Sequence, residues 1–389
     1  MLRTQTGLAC EIQAARAQTD TLFQLVRPDS LYHRPIPERH RMVFYLGHLE
    51  AFDWNLLARE ALNRPSFHPT FDRLFAFGID PPPGQLPCDE PSDWPSLAEI
   101  ERYNQRTRDE IDGMFADLPE QLQHAAIEHR LMHAETFAYI LHQLAYERKG
   151  PPPQTTVNGA DPRSADHSAR CEVPAGTAQL GRRPDEGFGW DNEFQAHEVE
   201  VPAFSIGRYK VTNGEYLKYV QEGAEPPFFW AEHGGRWFYR GMFAERPLPL
   251  EWPVYVTWQQ AEAYARYRGM RLPSEAEWQR ASENASPSSN VNFRYWDPIP
   301  VSADDTASAA PVQMAGNGWE WTSTVFDAFP GFEPFPFYKN YSAPFFDGQH
   351  YVLKGASPRT ASCFLRSSFR NWFRPAYPYV YATFRMVQA

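Results

Sequence analysis

The chain has 389 residues, a formal net charge of −11, 36 prolines and an aromatic content of 15%. That length predicts two domains with sizeable cores. The acidic balance argues against a nucleic-acid binder, which needs clustered Lys and Arg facing phosphate, and against docking on an anionic membrane.

Residues 1 to 150 read as mostly helical. Cys10 to Leu25 is expected to form a first amphipathic helix, ending before Arg27-Pro28. Pro37 to Leu62 carries a second, with His48, Phe52, Leu56 and Leu57 near helical spacing. Arg64 to Pro95 is interrupted by prolines, among them Pro65, Pro69, Pro81 and Pro91, and is expected to be a long crossing loop. Ser96 with Glu99 three residues later has the capping-box pattern and opens a third helix to about Phe115. Glu120 to Tyr146 lacks Gly and Pro and is the fourth helix. Four helices with ligands facing inward would make a four-helix bundle.

The fourth helix contains His129-Arg130-Leu131-Met132-His133-Ala134-Glu135. Histidines four residues apart lie on one helix face and can converge on one metal ion. The metalloprotease form of this spacing has Glu after the first His as general base; Arg130 stands there, which disfavours that chemistry. His48 is the best candidate for a further ligand. Three neutral imidazoles leave coordination positions open, which suits substrate and dioxygen at iron(II) better than a closed structural zinc. The same spacing also arises among surface or core histidines, so taken alone it leaves both readings open.

Residues 151–172, beginning Pro151-Pro152-Pro153-Gln154, read as a polar, proline-containing linker. Residues 173–389 differ in kind. Short strands are expected at Glu198–Val201, Phe204–Ile206, Tyr209–Val211, Tyr351–Leu353 and Ala382–Val387, with helices from Thr257 to Arg268 and from Ser274 onward. The aromatic-rich stretch 326–346 reads as packing for an irregular domain. Cys10, Cys88, Cys171 and Cys363 show no CxxC spacing and read as reduced thiols. Met1-Leu2-Arg3-Thr4-Gln5 lacks the apolar core of a signal peptide, and no apolar run reaches membrane-spanning length. A cytoplasmic protein without a membrane partner is therefore expected.

Several phrases of the second half occur together: Trp190-Asp191-Asn192-Glu193, Val211-Thr212-Asn213, Arg271-Leu272-Pro273-Ser274-Glu275-Ala276-Glu277-Trp278, Gly316-Asn317-Gly318-Trp319-Glu320-Trp321-Thr322, Lys354-Gly355-Ala356-Ser357 and Phe384-Arg385. Their order and spacing resemble the formylglycine-generating-enzyme (sulfatase-modifying factor) domain, an irregular C-type-lectin-like fold. The first half, with His48 and His129-x3-His133, resembles a DinB-like four-helix domain. The pairing resembles the sulfoxide synthases of ergothioneine biosynthesis (hercynine oxygenases) over nearly the whole chain. The fold class implied is α+β: a DinB-like four-helix bundle at 1–150, a linker at 151–172 and a formylglycine-generating-enzyme-like domain at 173–389.

The resemblance implies an Fe(II) cofactor held by His48, His129 and His133, with dioxygen, hercynine and a thiol as substrates. The thiol sulfur is joined to C2 of the hercynine imidazole and oxidised to a sulfoxide. Arg370-Asn371-Trp372 matches the family's Arg-Asn-Trp phrase, which assigns Asn371 to the betaine carboxylate and Trp372 to the trimethylammonium. Members that use γ-glutamylcysteine carry Asp after this phrase and Arg shortly beyond. Here those positions are Phe373 and Tyr377, which favours cysteine as donor; Arg374 could hold its carboxylate. Met132 stands where those members have Gln, and Gln143 is a possible substitute. The family's proton-donating tyrosine falls where this chain has Phe335 and Phe337, leaving Tyr103 and Tyr338 as candidates. Formylglycine generation needs a close cysteine pair, and Cys363 stands alone in the corresponding region. The alternatives are another donor or acceptor on the same scaffold (γ-glutamylcysteine, a selenium donor or histidine) and a non-enzymatic lectin-like binding protein.

Overall fold

A computed structural model describes residues 5–79, 85–152, 165–283, 285, 290–303 and 310–388. The chain forms two compact units, Met1–Pro153 and Gln154–Ala389. Residues 153–164, most of the expected linker, lie outside the described residues. Its last residues, Arg170 and Cys171, already belong to a strand.

The first unit contains α1 (Gln5–Gln24), α2 (Met42–Asp53), α3 (Pro69–Phe77), α4 (Leu97–Asp112) and α5 (Glu120–Gln143). Helix α1 packs on α5, and α2 packs on α3, α4 and α5. Leu8, Ile12, Ala15, Thr19 and Leu22 recur at three- and four-residue intervals and are buried, the stripe a core-facing helix needs. Helix α5 is buried on more than one side, through Ala125–Arg130, Ala134 and Phe137–His142, because it lies between α1 and α2. The α4 start is the expected capping box: the Ser96 backbone N–H donates to Glu99 Oε2 at 2.9 Å. Helix α2 runs on into a π-helical turn, Trp54–Glu60.

Helix α3 corrects the expectation of a loop from Arg64 to Pro95. A proline is tolerated at the first position of a helix, where its missing N–H costs nothing. Pro69 occupies that position, and His68 Nδ1 caps the helix by accepting from the Phe71 N–H at 3.2 Å. Phe71 and Phe75 are buried. A Cβ on Gly47 would lie 2.5 Å from the Phe75 ring, so glycine in α2 permits the close approach of α3.

The second unit is mixed. Its strands are β1 (Arg170–Val173), β2 (Gly176–Leu180), β3 (His197–Val201), β4 (Phe204–Gly207), β5 (Trp230–His233), β6 (Arg236–Arg240), β7 (Glu245–Pro247), β8 (Met270–Arg271), β9 (Gly318–Val325), β10 (Tyr351–Ala356), β11 (Asn371–Phe373), β12 (Ala382–Thr383) and β13 (Val387–Gln388). Its helices are α6 (Asn213–Gln221), α7 (Trp258–Tyr267) and α8 (Glu275–Ser282). The sheets run β1-β4-β13-β8, β11-β10-β9-β12, β2-β3 and β5-β6-β7. With the helical first unit this makes the chain α+β. Each of the three helices opens with a capping box, at Thr212/Glu215, Thr257/Gln260 and Ser274/Glu277. Tyr209–Val211, expected as a strand, is not one; it is held by single bonds, the Val211 N–H donating to the Phe384 carbonyl at 3.0 Å. Ala382–Val387 divides into β12 and β13.

Three buried carboxylates organise this unit. Glu320, on β9, accepts from Lys210 Nζ at 2.5 Å, Arg385 Nε at 3.0 and 2.9 Å and Trp278 Nε1 at 3.2 Å. Glu193 accepts from Arg366 at 2.8 and 2.6 Å, Ser368 Oγ at 2.6 Å and the Trp190 N–H at 2.8 Å. Glu275 accepts from Arg370 Nε at 3.0 Å, with Lys354 Nζ 3.8 Å away. Each buried acid is thus met by cations, with neutral donors added at Glu320 and Glu193, as burial of charge requires.

Candidate functional site

Helices α2 and α5 bring three histidines together. His129 and His133 lie one turn apart on α5, and His48 reaches them from α2. One ring nitrogen from each can be chosen so that all three lie within 4.8 Å of one another. The His48 and His129 ring centroids are 5.2 Å apart, and those of His48 and His133 4.8 Å. His129 is 1% exposed and His48 9%.

Two of the rings are oriented by backbone carbonyls. His48 Nδ1 donates to the Phe75 carbonyl at 2.7 Å, and His133 Nδ1 to the His129 carbonyl at 3.1 Å. Each bond leaves Nε2 as the lone-pair nitrogen, the arrangement that fixes a metal-binding tautomer. Helix α3 therefore has a role at the site, because it supplies the carbonyl that orients His48. Aromatic rings wall the cluster: Phe52 stacks on His129 at 3.4 Å, and Phe44 on His48 at 4.7 Å.

Burial keeps the imidazoles neutral. His48 is pushed down to about 4, chiefly by desolvation and against the help of its bond to Phe75. Desolvation and the neighbouring His48 take His133 down to about 3. His129 is held well below the usual range by desolvation, with His133 and His48 adding to it. A neutral imidazole is the ligand form, so the cluster has the donors in the right state. Metal–nitrogen bonds of about 2.1 Å put donors on a shared ion roughly 3–3.5 Å apart. Small side-chain rotations would close this cluster to that size, and the donor set fits a divalent transition metal.

The other side of α2 and α5 is ionic. Arg130 Nη1 and Nη2 donate to the two oxygens of Glu50 at 3.0 and 2.7 Å, and Nη2 also donates to Asp53 at 2.8 Å. Arg130, at the position where a metalloprotease has its base, is thus committed to structure. These partners lie 80 and 77 residues away and left no local signal in the sequence.

The remaining candidates fall in separate places. Met132 is half-buried on α5 beside His133. Gln143 is in the last turn of α5, ten residues and about 15 Å along the axis from His133, so the structure does not bring the two together. Tyr103 is buried on α4 and donates to Asp72 Oδ1 at 2.9 Å; desolvation and that carboxylate hold its proton well above the ordinary phenol range. Its ring lies 6.2 Å from Phe75, whose carbonyl orients His48.

In the second unit, Asn371, Trp372 and Phe373 form β11, paired antiparallel to β10 with Trp372 opposite Val352. Asn371 Oδ1 accepts from the Trp372 N–H at 2.9 Å, so its amide N–H groups are what it can offer a carboxylate. Trp372 stacks on Phe326 at 4.3 Å, with Tyr341 and Phe345 each 5.5 Å away. Phe373 stacks on Tyr377 at 5.3 Å. Arg374 is exposed. Tyr338 is half-buried near Trp190 and Tyr341, its hydroxyl pushed up to about 12 by desolvation and then by Asp191. Among the described residues no helix is long and apolar enough to cross a membrane.

Residues 154–389 match the sulfatase-modifying factor enzyme 1-like domain. Over 97% of its length the chain is 32% identical to hercynine oxygenase of Mycolicibacterium smegmatis, covering 98% of that protein. It is 26% identical to ergothioneine biosynthesis protein 1 of Neurospora crassa over 94% of this chain and 56% of that protein. The protein of the same name from Schizosaccharomyces pombe is 28% identical, over 94% of this chain and 54% of its own length. The chain therefore spans about half the length of the two fungal relatives and nearly all of the bacterial one.

Proposed function

The chain belongs to the hercynine oxygenase family and carries a sulfatase-modifying factor enzyme 1-like domain, and from that premise we propose that it joins cysteine to C2 of hercynine and oxidises the sulfur, a step of ergothioneine biosynthesis. In this reading the first unit is a DinB-like four-helix bundle and the second a C-type-lectin-like fold. The observation that carries the reading is the convergence of three neutral imidazoles, with donor atoms within 4.8 Å of one another.

His48, His129 and His133 would hold iron(II), and their count leaves positions for other ligands. Bound there, the ion would supply the centre for dioxygen reduction and for attachment of the donor thiolate. The chain's residues do the rest. Asn371 donates to the hercynine carboxylate, and Trp372 offers a ring face to the trimethylammonium. The balance is simple: the imidazole C2–H and the thiol S–H are lost, the C–S bond forms, one oxygen atom ends on sulfur and the other leaves as water. We assign the proton delivered to oxygen to Tyr338. Tyr103 is the alternative, although its hydroxyl proton is already given to Asp72.

The Phe373–Tyr377 stack favours the small donor. Two aromatic rings offer no charged partner to the extra carboxylate of γ-glutamylcysteine, whereas Arg374 beside them is free to move toward a single carboxylate. The test is anaerobic reconstitution with iron(II), then air with hercynine and either thiol, read by mass spectrometry. A sulfoxide adduct with cysteine supports the reading. An adduct with γ-glutamylcysteine alone refutes the donor assignment, and no adduct with either refutes the reaction. His129→Ala should abolish both metal binding and turnover.

A further inference from the structure

One ionic chain joins a residue from each of four helices. Asp20 on α1 accepts from Arg108 on α4 at 2.8 and 2.7 Å; Arg108 also donates to Glu50 on α2 at 2.9 and 2.7 Å; Glu50 accepts from Arg130 on α5. Asp53 on α2 closes the chain against Arg130. The side chains of Arg130 and Glu50 are each 1% exposed and that of Asp53 is 0% exposed. Arg130 follows His129 directly, and Glu50 lies two residues after His48.

Apolar side chains of similar volume often replace a buried ion cluster at equal or lower free energy, so stability is a weak account of one. What an Arg–carboxylate fork provides is direction. Apolar contacts between helices tolerate sliding and rotation, whereas two parallel N–H···O bonds do not. A metal site needs its ligands held to about 0.5 Å. The three histidines ride on two different helices, and Arg130 ties the two not only through the carboxylates but also through the Leu49 carbonyl of α2, to which Nη2 donates at 3.3 Å.

We propose that Arg130 is the positioning residue of the three-histidine cluster, locking α2 to α5 through Glu50 and Asp53 so that the imidazoles meet at metal-binding distance. The inference rests on the metal reading of the cluster given above. It assigns the position after the first histidine a mechanical role in place of an acid–base one.

The test uses the full chain and cobalt(II), titrated anaerobically and followed by visible absorption, with no turnover required. Arg130→Lys keeps the charge and removes the fork. It should weaken cobalt(II) binding tenfold or more and change the shape of the ligand-field bands, while far-ultraviolet circular dichroism stays that of the parent. Unchanged affinity and an unchanged spectrum, even with a lower melting temperature, would overturn the proposal, since that is what a purely stabilising ion pair predicts. Should Arg130→Lys fail to fold, Asp53→Asn is close in shape and should weaken binding at least threefold; parent-like binding overturns the proposal equally. The parent and His129→Ala separate the two levels of the argument. If both bind cobalt(II) alike, the metal reading itself fails. If only the parent binds and Arg130→Lys binds as the parent does, the positioning role alone fails.

Discussion

Replacing Glu320 by Gln should cost the second unit about 5 kcal/mol. Glu320 meets Lys210 at 2.5 Å and Arg385 at 2.9 Å, and all three side chains are 0% exposed. Glutamine keeps the volume and one acceptor but removes the charge, leaving two buried cations beside each other. At an effective dielectric constant of about 20, one such contact is worth roughly 5–6 kcal/mol before desolvation. Breaking a buried pair by removing one partner costs about 3–5 kcal/mol, and here one carboxylate serves two cations. A domain is typically stable by only about 5–15 kcal/mol. At roughly 2–4 °C per kcal/mol the melting temperature should fall by about 10–20 °C. Urea unfolding followed by tryptophan fluorescence suits this unit, because Trp278 donates to Glu320 and Trp319 and Trp321 flank it. A double-mutant cycle with Lys210→Met isolates the charge term. The double variant should recover about 2 kcal/mol or more relative to the sum of the singles. A loss below about 1 kcal/mol for Glu320→Gln, or strict additivity in the cycle, would refute the reasoning.

The metal-free protein should lose stability as pH falls from about 6.5. His48 and His133 stay neutral in the folded chain down to about 4 and 3, but protonate near 6.5 once unfolded. Between those values the unfolded state binds more protons, so each contributes a loss of about 2 kcal/mol by pH 5, which levels off below the folded value. Urea titrations in chelator at about pH 7.5 and 5 should show this loss in the parent, and a much smaller one in His48→Gln/His133→Gln; equal slopes would contradict it. Phe373→Asp should raise the ratio of kcat/KM for γ-glutamylcysteine over cysteine about tenfold, and an unchanged ratio would remove this side chain from the donor site. Tyr338→Phe should raise cysteine sulfinate severalfold relative to sulfoxide. Tyr103→Phe should instead cost about 1–2 kcal/mol of stability, through the lost bond to Asp72, and leave the product ratio unchanged.

What the sequence disclosed followed the range of the interaction concerned. The His129–His133 pair was legible because helical periodicity is local, and the capping boxes at Ser96 and Ser274 for the same reason. Helix α3 was hidden because Pro69 reads as a breaker unless its place at the first helical position is known. Strand β9 has no alternating signature, because its first five residues are all buried. The Arg130–Glu50 clamp could not be read at all, since nothing near either residue marks its partner. Several of the phrases that carried the family resemblance turn out to hold the ion clusters of the second unit: Glu193, Glu320 and Arg385 are buried supports.

The β11 strand has a consequence for how specificity can change. Neighbouring side chains leave a strand in different directions, and Trp372 and Phe373 accordingly have different aromatic partners. Phe373 leans on Tyr377, and Trp372 on Phe326. A lineage can therefore exchange residue 373 for one that welcomes a different thiol while the aromatic surface around residue 372 stays as it was. Two preferences written in adjacent codons can drift one at a time.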